Sequence, residues 1–360
     1  MAPIVLDALS LNRRGGRPAL RDVSLSIADG TITALAGPTG AGKTALLRLI
    51  ASREAPSSGT VEVGDAVSQS WRLGRPEVCE FADREALSGA RNVYDTMAAG
   101  LRDRGLGKAE VEARTLKAAD ALGLGALMAR RVDEVSTGER TRAVFGRALA
   151  HTPRAILLDE PFAGLDASRR IALRRELRRL NREGATIVFA THDWTDALAL
   201  ADQLIVLDEG RLVACGPAQA LYDRPPTADA ARLIGDPPMN VLPVRANQTG
   251  LSLEDGTHFG ATSVMTTATY GLLGVRPENL FVVTEGPAGE GAQPAAAVFP
   301  VRVEEIERAG HESLVHGFVG PHAFVGRVAG PVEAPSSGPL RLGARRESLV
   351  MFDARTGALA

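Results

Sequence analysis

Residues 37–44 read Gly37-Pro38-Thr39-Gly40-Ala41-Gly42-Lys43-Thr44, a complete G-x-x-x-x-G-K-[ST] stretch. Before it, Thr31-Ile32-Thr33-Ala34-Leu35-Ala36 is a short β-branched and apolar run that predicts a buried strand. After it, Thr44 to Ile50 offers helix formers with no breaker. A glycine-rich loop between strand and helix lets successive N–H groups wrap the α- and β-phosphates of a nucleotide. The helix N-terminus adds its partial positive charge. Lys43 is placed to reach the β- and γ-phosphates, and the Thr44 hydroxyl to ligate Mg²⁺. An ordinary glycine turn has no need of both side chains, so Gly37 to Thr44 predict binding of a nucleoside triphosphate.

Ala155-Ile156-Leu157-Leu158-Asp159-Glu160 is an apolar strand ending in two carboxylates. Asp159 suits the first or second sphere of Mg²⁺. Glu160, expected on the opposite side of the strand, suits alignment and deprotonation of an attacking water. Between the two stretches lies Val135-Ser136-Thr137-Gly138-Glu139-Arg140, a capping box with Ser136 as N-cap and Glu139 three residues later. It opens a helix expected to run through Arg147 and Leu149. A capped, glycine-bearing helix start is also a second phosphate-binding device, this one lacking a lysine. Two half-sites on one chain predict a head-to-tail dimer with each ATP clamped between subunits, Ser136, Gly138 and Glu139 facing the partner's nucleotide.

These residues resemble the ATP-binding subunits of ABC transporters. Gly37–Thr44 is similar to the family's Walker A, Ile156–Glu160 to Walker B and Val135–Glu139 to the signature motif; Ala163-Gly164-Leu165-Asp166 resembles the D-loop, and Thr191-His192-Asp193 the switch histidine. The resemblance makes His192 a γ-phosphate contact. It extends to the maltose-importer type of ATPase, which serves sugars and polyols. Leu204–Gly210, Gly216-Pro217 and Ile234–Asn240 resemble the end of that type's cassette, while Leu273–Leu280 and Phe352–Gly357 resemble its C-terminal OB-like (TOBE) regulatory region. What it implies is an ATPase on the cytoplasmic face of the bacterial inner membrane, held there by two transmembrane permease subunits. An extracytoplasmic solute-binding protein then acts indirectly, and a second cassette, identical or not, completes the dimer. A carbohydrate, polyol or glycerol-phosphate solute is favoured over a polyamine or an anion.

Composition agrees. A chain of 360 residues suits two domains, and a net charge of −2 with pI near 6.3 argues against a nucleic-acid surface. Cys79 and Cys215 sit in no metal or redox spacing, as expected of a reducing cytosol. No apolar stretch reaches the roughly 18 residues of a spanning helix, and the N-terminus lacks a signal-peptide pattern.

The order of elements predicts an α/β P-loop cassette over residues 1–236, mostly parallel, interrupted by helical material at about 87–134, then a small all-β barrel over 237–360. Within Lys108–Leu122, Val111, Leu116, Ala119 and Leu122 are expected to share a buried side. The paired arginines from Arg169 to Arg182 fall around a Leu173, Leu177, Leu180 stripe, which predicts an amphipathic helix with a solvated basic face rather than a lipid-binding patch. His311, His316 and His322 have no cysteine or carboxylate frame for a metal.

Three departures from the family pattern stand out, the third at two positions. Arg14 stands where an adenine-stacking aromatic is expected, and a guanidinium plane can stack on a purine. Asp83 replaces a Mg²⁺-sensing glutamine; it retains an oxygen ligand but cannot donate a hydrogen bond. Thr137 and Glu139 replace glycine and glutamine in the signature. These departures favour a non-identical partner cassette. A soluble ABC ATPase acting on nucleic acid or ribosomes is the reading from another class; a single Walker A and only 4% aromatic residues count against it.

Overall fold

A computed structural model describes residues 3–13, 18–64, 66–67, 79–82, 92–99, 101, 105–151, 155–247, 250–259, 270–283 and 295–360. The chain divides into two compact units, 1–219 and 220–360.

The first unit holds two sheets among the described residues. One is antiparallel, in the order β2 (Pro18–Ile27), β1 (Ile4–Asn12), β4 (Ser58–Val63), β5 (Ala66–Val67). The other runs β10 (Arg211–Pro217), β9 (Gln203–Asp208), β3 (Ile32–Ala36), β8 (Thr186–Thr191), β7 (Ala155–Asp159), β6 (Cys79–Ala82). All neighbours in it are parallel except the edge strand β10. Every residue of β3 and β8 is buried, which is why both read as unbroken apolar or β-branched runs rather than as alternating patterns. The parallel strands β3, β8 and β7 deliver their carboxyl ends to one edge, the side of an open α/β sheet where ligands bind.

Helices α1 (Lys43–Ile50), α2 (Val93–Ala98), α3 (Lys108–Ala121), α4 (Thr137–His151), α5 (Ala167–Arg182) and α6 (Trp194–Leu200) complete the unit. α1 packs Leu46, Leu47, Leu49 and Ile50 into a core that also takes Ile4, Leu6, Leu20 and Val61 from the antiparallel sheet. In α3 the buried residues are Val111, Thr115, Ala118 and Ala119, followed by Leu122, while Leu116 is 47% exposed. The expectation for Leu116 is corrected by helix geometry: five residues from Val111 turn the side chain about 140° away.

α5 buries Leu173, Leu177 and Leu180 as its stripe predicts. Its basic face is less solvated than expected. Arg170 bonds Asp193 at 2.8 Å and Asp196 at 3.0 Å, Arg174 also bonds Asp196, and Arg179 bonds Glu176 and Glu183. Arg170, Arg174 and Arg179 are ion-pair partners of the carboxylates around them, with Asp196 wholly buried, while Arg175, Arg178 and Arg182 stay exposed as expected.

The second unit begins with α7 (Ala218–Asp223), which spans the division, and α8 (Ala228–Leu233). Residues 220–236 lie in this second unit. The reason is Arg276: its guanidinium donates to the Tyr222 and Ile234 carbonyls and lies 3.7 Å over the Tyr222 ring. The strands form antiparallel sheets. One runs β12 (Gly250–Ser252), β11 (Asn240–Asn247), β13 (Tyr270–Val275), β19 (Leu349–Asp353). The other runs β14 (Leu280–Val282), β18 (Leu340–Ala344), β15 (Ala297–Ala309), β16 (Glu312–Val319), β17 (His322–Ala329). Phe299 sits between Phe259 and Phe324, ring centroids 5.3 and 5.1 Å away, at the centre of their shared core. Buried Asn240 ties the sheets together: it donates to the Val325 carbonyl and accepts from the Val325 amide, both at 2.8 Å. The result is an α/β unit with a mostly parallel sheet, followed along the chain by an antiparallel half-barrel.

Candidate nucleotide site

The 37–44 loop leaves β3 and enters α1 through Gly42, whose φ of 106° marks the helix start. Two glycines are obligatory by space as well as by φ. A Cβ at Gly37 would lie 2.0 Å from the Leu207 carbonyl oxygen, and one at Gly42 would lie 2.7 Å from that of Ala19. The loop is pressed between β2 and the turn after β9. That turn is fixed in place because Gly210 donates to the Ala41 carbonyl and accepts from the Arg21 amide.

The Lys43 side chain is buried and folds back over the loop, its Nζ donating to the Gly37 carbonyl at 2.6 Å and the Pro38 carbonyl at 3.0 Å. Burial pulls its pKa down, while the charges of Glu160 and Asp159 pull it up. Two carboxylates from another strand are therefore near enough to act on its charge.

Thr39 to Ala45, Asp159 and Glu160 line one cleft of about 740 Å³, together with Arg13, Pro18, Ala19, Arg21 and Glu209. The opposite-side expectation for Glu160 is corrected. β7 ends at Asp159, and Glu160 adopts φ of 51°, a left-handed turn that brings both carboxylates to the same cleft. The Glu160 amide donates to the Ala190 carbonyl at 3.0 Å, which holds that turn against β8. The next residue after β8, His192 beyond Thr191, places its Nδ1 3.0 Å from Glu160 Oε1. A carboxylate only accepts, so this Nδ1 carries the proton.

Thr44 and Asp159 bring a hydroxyl and a carboxylate to the cleft, a hard-oxygen donor set that fits Mg²⁺. Arg14 and Asp83 lie outside the described residues. Ser136, Gly138 and Glu139 do not line the cleft. They stand at the start of α4, where Glu139 Oε2 accepts from both the Ser136 amide and the Ser136 hydroxyl at 2.8 Å. Arg13, Arg21 and Glu209 escape the sequence reading because no motif marks them. They reach the cleft only through the pairing of β1 with β2 and the turn that follows β9.

The ABC transporter family model matches residues 20–163. The chain is 36% identical to the sn-glycerol-3-phosphate import ATP-binding protein UgpC of Rhodopseudomonas palustris (strain BisB5), over 93% of this chain and 88% of that one. It is also 36% identical to UgpC 3 of Agrobacterium fabrum, over 98% of this chain and 99% of the relative. The chain belongs to the ATP-binding proteins of ABC transporters. Solved structures agree on the fold of the cassette. That of MJ0796, a dimer described as bound to ADP and Pi, covers 60% of this ABC protein and 98% of its own chain, with a TM-score of 0.55 at 23% identity. CbiO1 from Clostridium perfringens covers 61% of it and 90% of its own chain, with a TM-score of 0.51 at 25% identity. As a member of the family, this ABC protein is an ATPase that drives transport. Among its described residues no helix is long and apolar enough to cross a membrane.

Proposed function

We propose that this ABC ATPase powers import of a glycerol-phosphate or related polyol-type solute from the cytoplasmic face of the inner membrane. The observation that carries this reading is that relatives named for sn-glycerol-3-phosphate import align over nearly the whole chain, half-barrel included. Two permease subunits would form the path, and an extracytoplasmic binding protein would select the solute. A second cassette would close head-to-tail, so that the start of α4 in one subunit meets the triphosphate held by the loop of the next.

Within the cleft, the loop amides and Lys43 hold the phosphates, drawing Nζ away from the Gly37 and Pro38 carbonyls that now satisfy it. Mg²⁺, when bound by Thr44 and Asp159, supplies charge neutralisation on the phosphates. Glu160 aligns a water and takes its proton, and His192 Nδ1–H fixes the orientation of that carboxylate. Polyamine or anion import is the alternative for the solute.

The test is a transporter purified with this chain and reconstituted in proteoliposomes with its binding protein. ATP hydrolysis stimulated by sn-glycerol 3-phosphate, and lost in Lys43→Ala, is the expected result. Stimulation by spermidine or an inorganic anion instead would overturn the choice of solute.

A further inference from the structure

The arginines of α5 fall into two sets. Arg169 pairs with Asp166 at 3.3 Å, Arg170 with Asp193 and Asp196, Arg174 with Asp196, and Arg179 with Glu176 and Glu183. Arg175, Arg178 and Arg182 are exposed and have no ion pair among the described residues; Arg178 bonds only the Ala199 carbonyl. Their spacing of three and then four residues puts these three on one face of the helix, along about 10 Å of its axis.

The same three side chains are gathered around a hollow. With Ile32, Asn181 and Asp202 they line a cleft of about 330 Å³. The other polar side chains there are committed to the fold. Asn181 Nδ2 donates to the Gly30 and Ala185 carbonyls, and Asp202 Oδ2 accepts from the Ile32 amide at 2.9 Å. Asp202 is the one carboxylate among the lining residues, so three positive charges face one negative charge. The helix dipole accounts for Arg182 in the last turn but not for Arg175 and Arg178 before it. Nor is the cleft part of the nucleotide site: Ile32 opens β3, whereas the phosphate loop leaves the other end, about 13 Å along the strand.

We propose that Arg175, Arg178 and Arg182 form a second anion site, one that takes a phosphate group carried by a small free anion or by a lipid headgroup. A guanidinium presents paired N–H donors that match two phosphate oxygens, and a bound anion relieves the repulsion among three like charges. The free anion is the favoured source, because the arginines line a concave space of small-molecule size.

The test uses the full chain with Glu160→Gln, saturated with MgATP so that the Gly37–Thr44 loop is filled and turnover releases no phosphate. Uptake of radiolabelled inorganic phosphate is read by equilibrium dialysis, with and without the pair Arg175→Gln and Arg182→Gln. Neither side chain has a partner to lose, so the helix stays formed. The expected result is saturable uptake that weakens at least about tenfold in the double variant, the loss of one charge-assisted hydrogen bond, and weakens further as salt rises. ATP occupancy in the same samples should stay equal. Flotation with phosphatidylcholine vesicles, with and without phosphatidylglycerol, separates the sources. Arginine-dependent flotation on the anionic vesicles, with no uptake of free phosphate, assigns the site to a headgroup. No arginine-dependent binding of either probe overturns the site. Failure to bind MgATP counts against the nucleotide cleft instead, since the arginine dependence of phosphate uptake still decides this one.

Discussion

The Nδ1 of His192 lies 3.0 Å from Oε1 of Glu160, and the two residues follow adjacent parallel strands. This distance is a consequence of sheet order: β8 lies between β3 and β7, so the histidine stands between the loop strand and the carboxylate strand. His192 is 64% exposed in its side chain and Glu160 25%, so the pair adds little to stability. We propose that its role is to orient the carboxylate.

Glu160→Gln is therefore expected to lower phosphate release by at least about 100-fold, the low end of what a positioned base contributes. ATP binding by the same variant should stay intact. His192→Ala should lower turnover less, because it removes the orientation and leaves the base. Near-normal turnover in Glu160→Gln would discard the role assigned to that carboxylate.

Lys43→Ala should lose MgATP binding in equilibrium dialysis with the fold intact by circular dichroism. The reason is that its ammonium, now resting on the Gly37 and Pro38 carbonyls, is the cation within the loop itself. Unchanged MgATP affinity in the folded variant would count against the site.

Asp196→Ala tests the α5–α6 network by stability rather than by activity. Asp196 is fully buried and accepts from Arg170 at 3.0 Å and from Arg174. Removing it leaves two partly buried cations without that partner, at a cost of about 3 kcal/mol. Urea unfolding should show a lower midpoint with an unchanged slope. A midpoint within error of the parent would mean the arginines find water instead.

Tyr222 gives a pH prediction. Burial, and then a hydrogen bond to Glu278 and the charge of that carboxylate, push its phenol up to about 12, above the usual phenol range. A raised folded pKa favours the protonated form, so its stabilising contribution is full below about pH 10 and is lost as pH rises through 12. Ultraviolet difference titration of the parent against Tyr222→Phe should place this phenol near 12. Ionisation near 10 would mean that neither the burial of this phenol nor its Glu278 contact holds in solution.

Local patterns gave much of this protein directly. The Leu173, Leu177, Leu180 stripe defined the buried face of α5, and the alternation from Phe299 to Val303 marked a strand whose inward residues are in the half-barrel core. The pattern misled where two apolar residues fell at a spacing no helix face accommodates, as at Leu116. It also missed the fate of the α5 arginines, because Asp193 and Asp196 reach them only through packing of a neighbouring helix.

The sequence by itself determined the phosphate loop, its lysine and hydroxyl, the carboxylate pair at the end of β7 and the reciprocal cap at Ser136 and Glu139. Each is a property of neighbours within one turn or one strand, where spacing fixes geometry. Only the tertiary structure decided that Asp159 and Glu160 share the cleft of Lys43, that His192 grips Glu160, and that Arg21 and Glu209 border the same space. These depend on which strands lie side by side and on one left-handed turn at Glu160. Strand order is set by burial of whole faces rather than by any short run of residues.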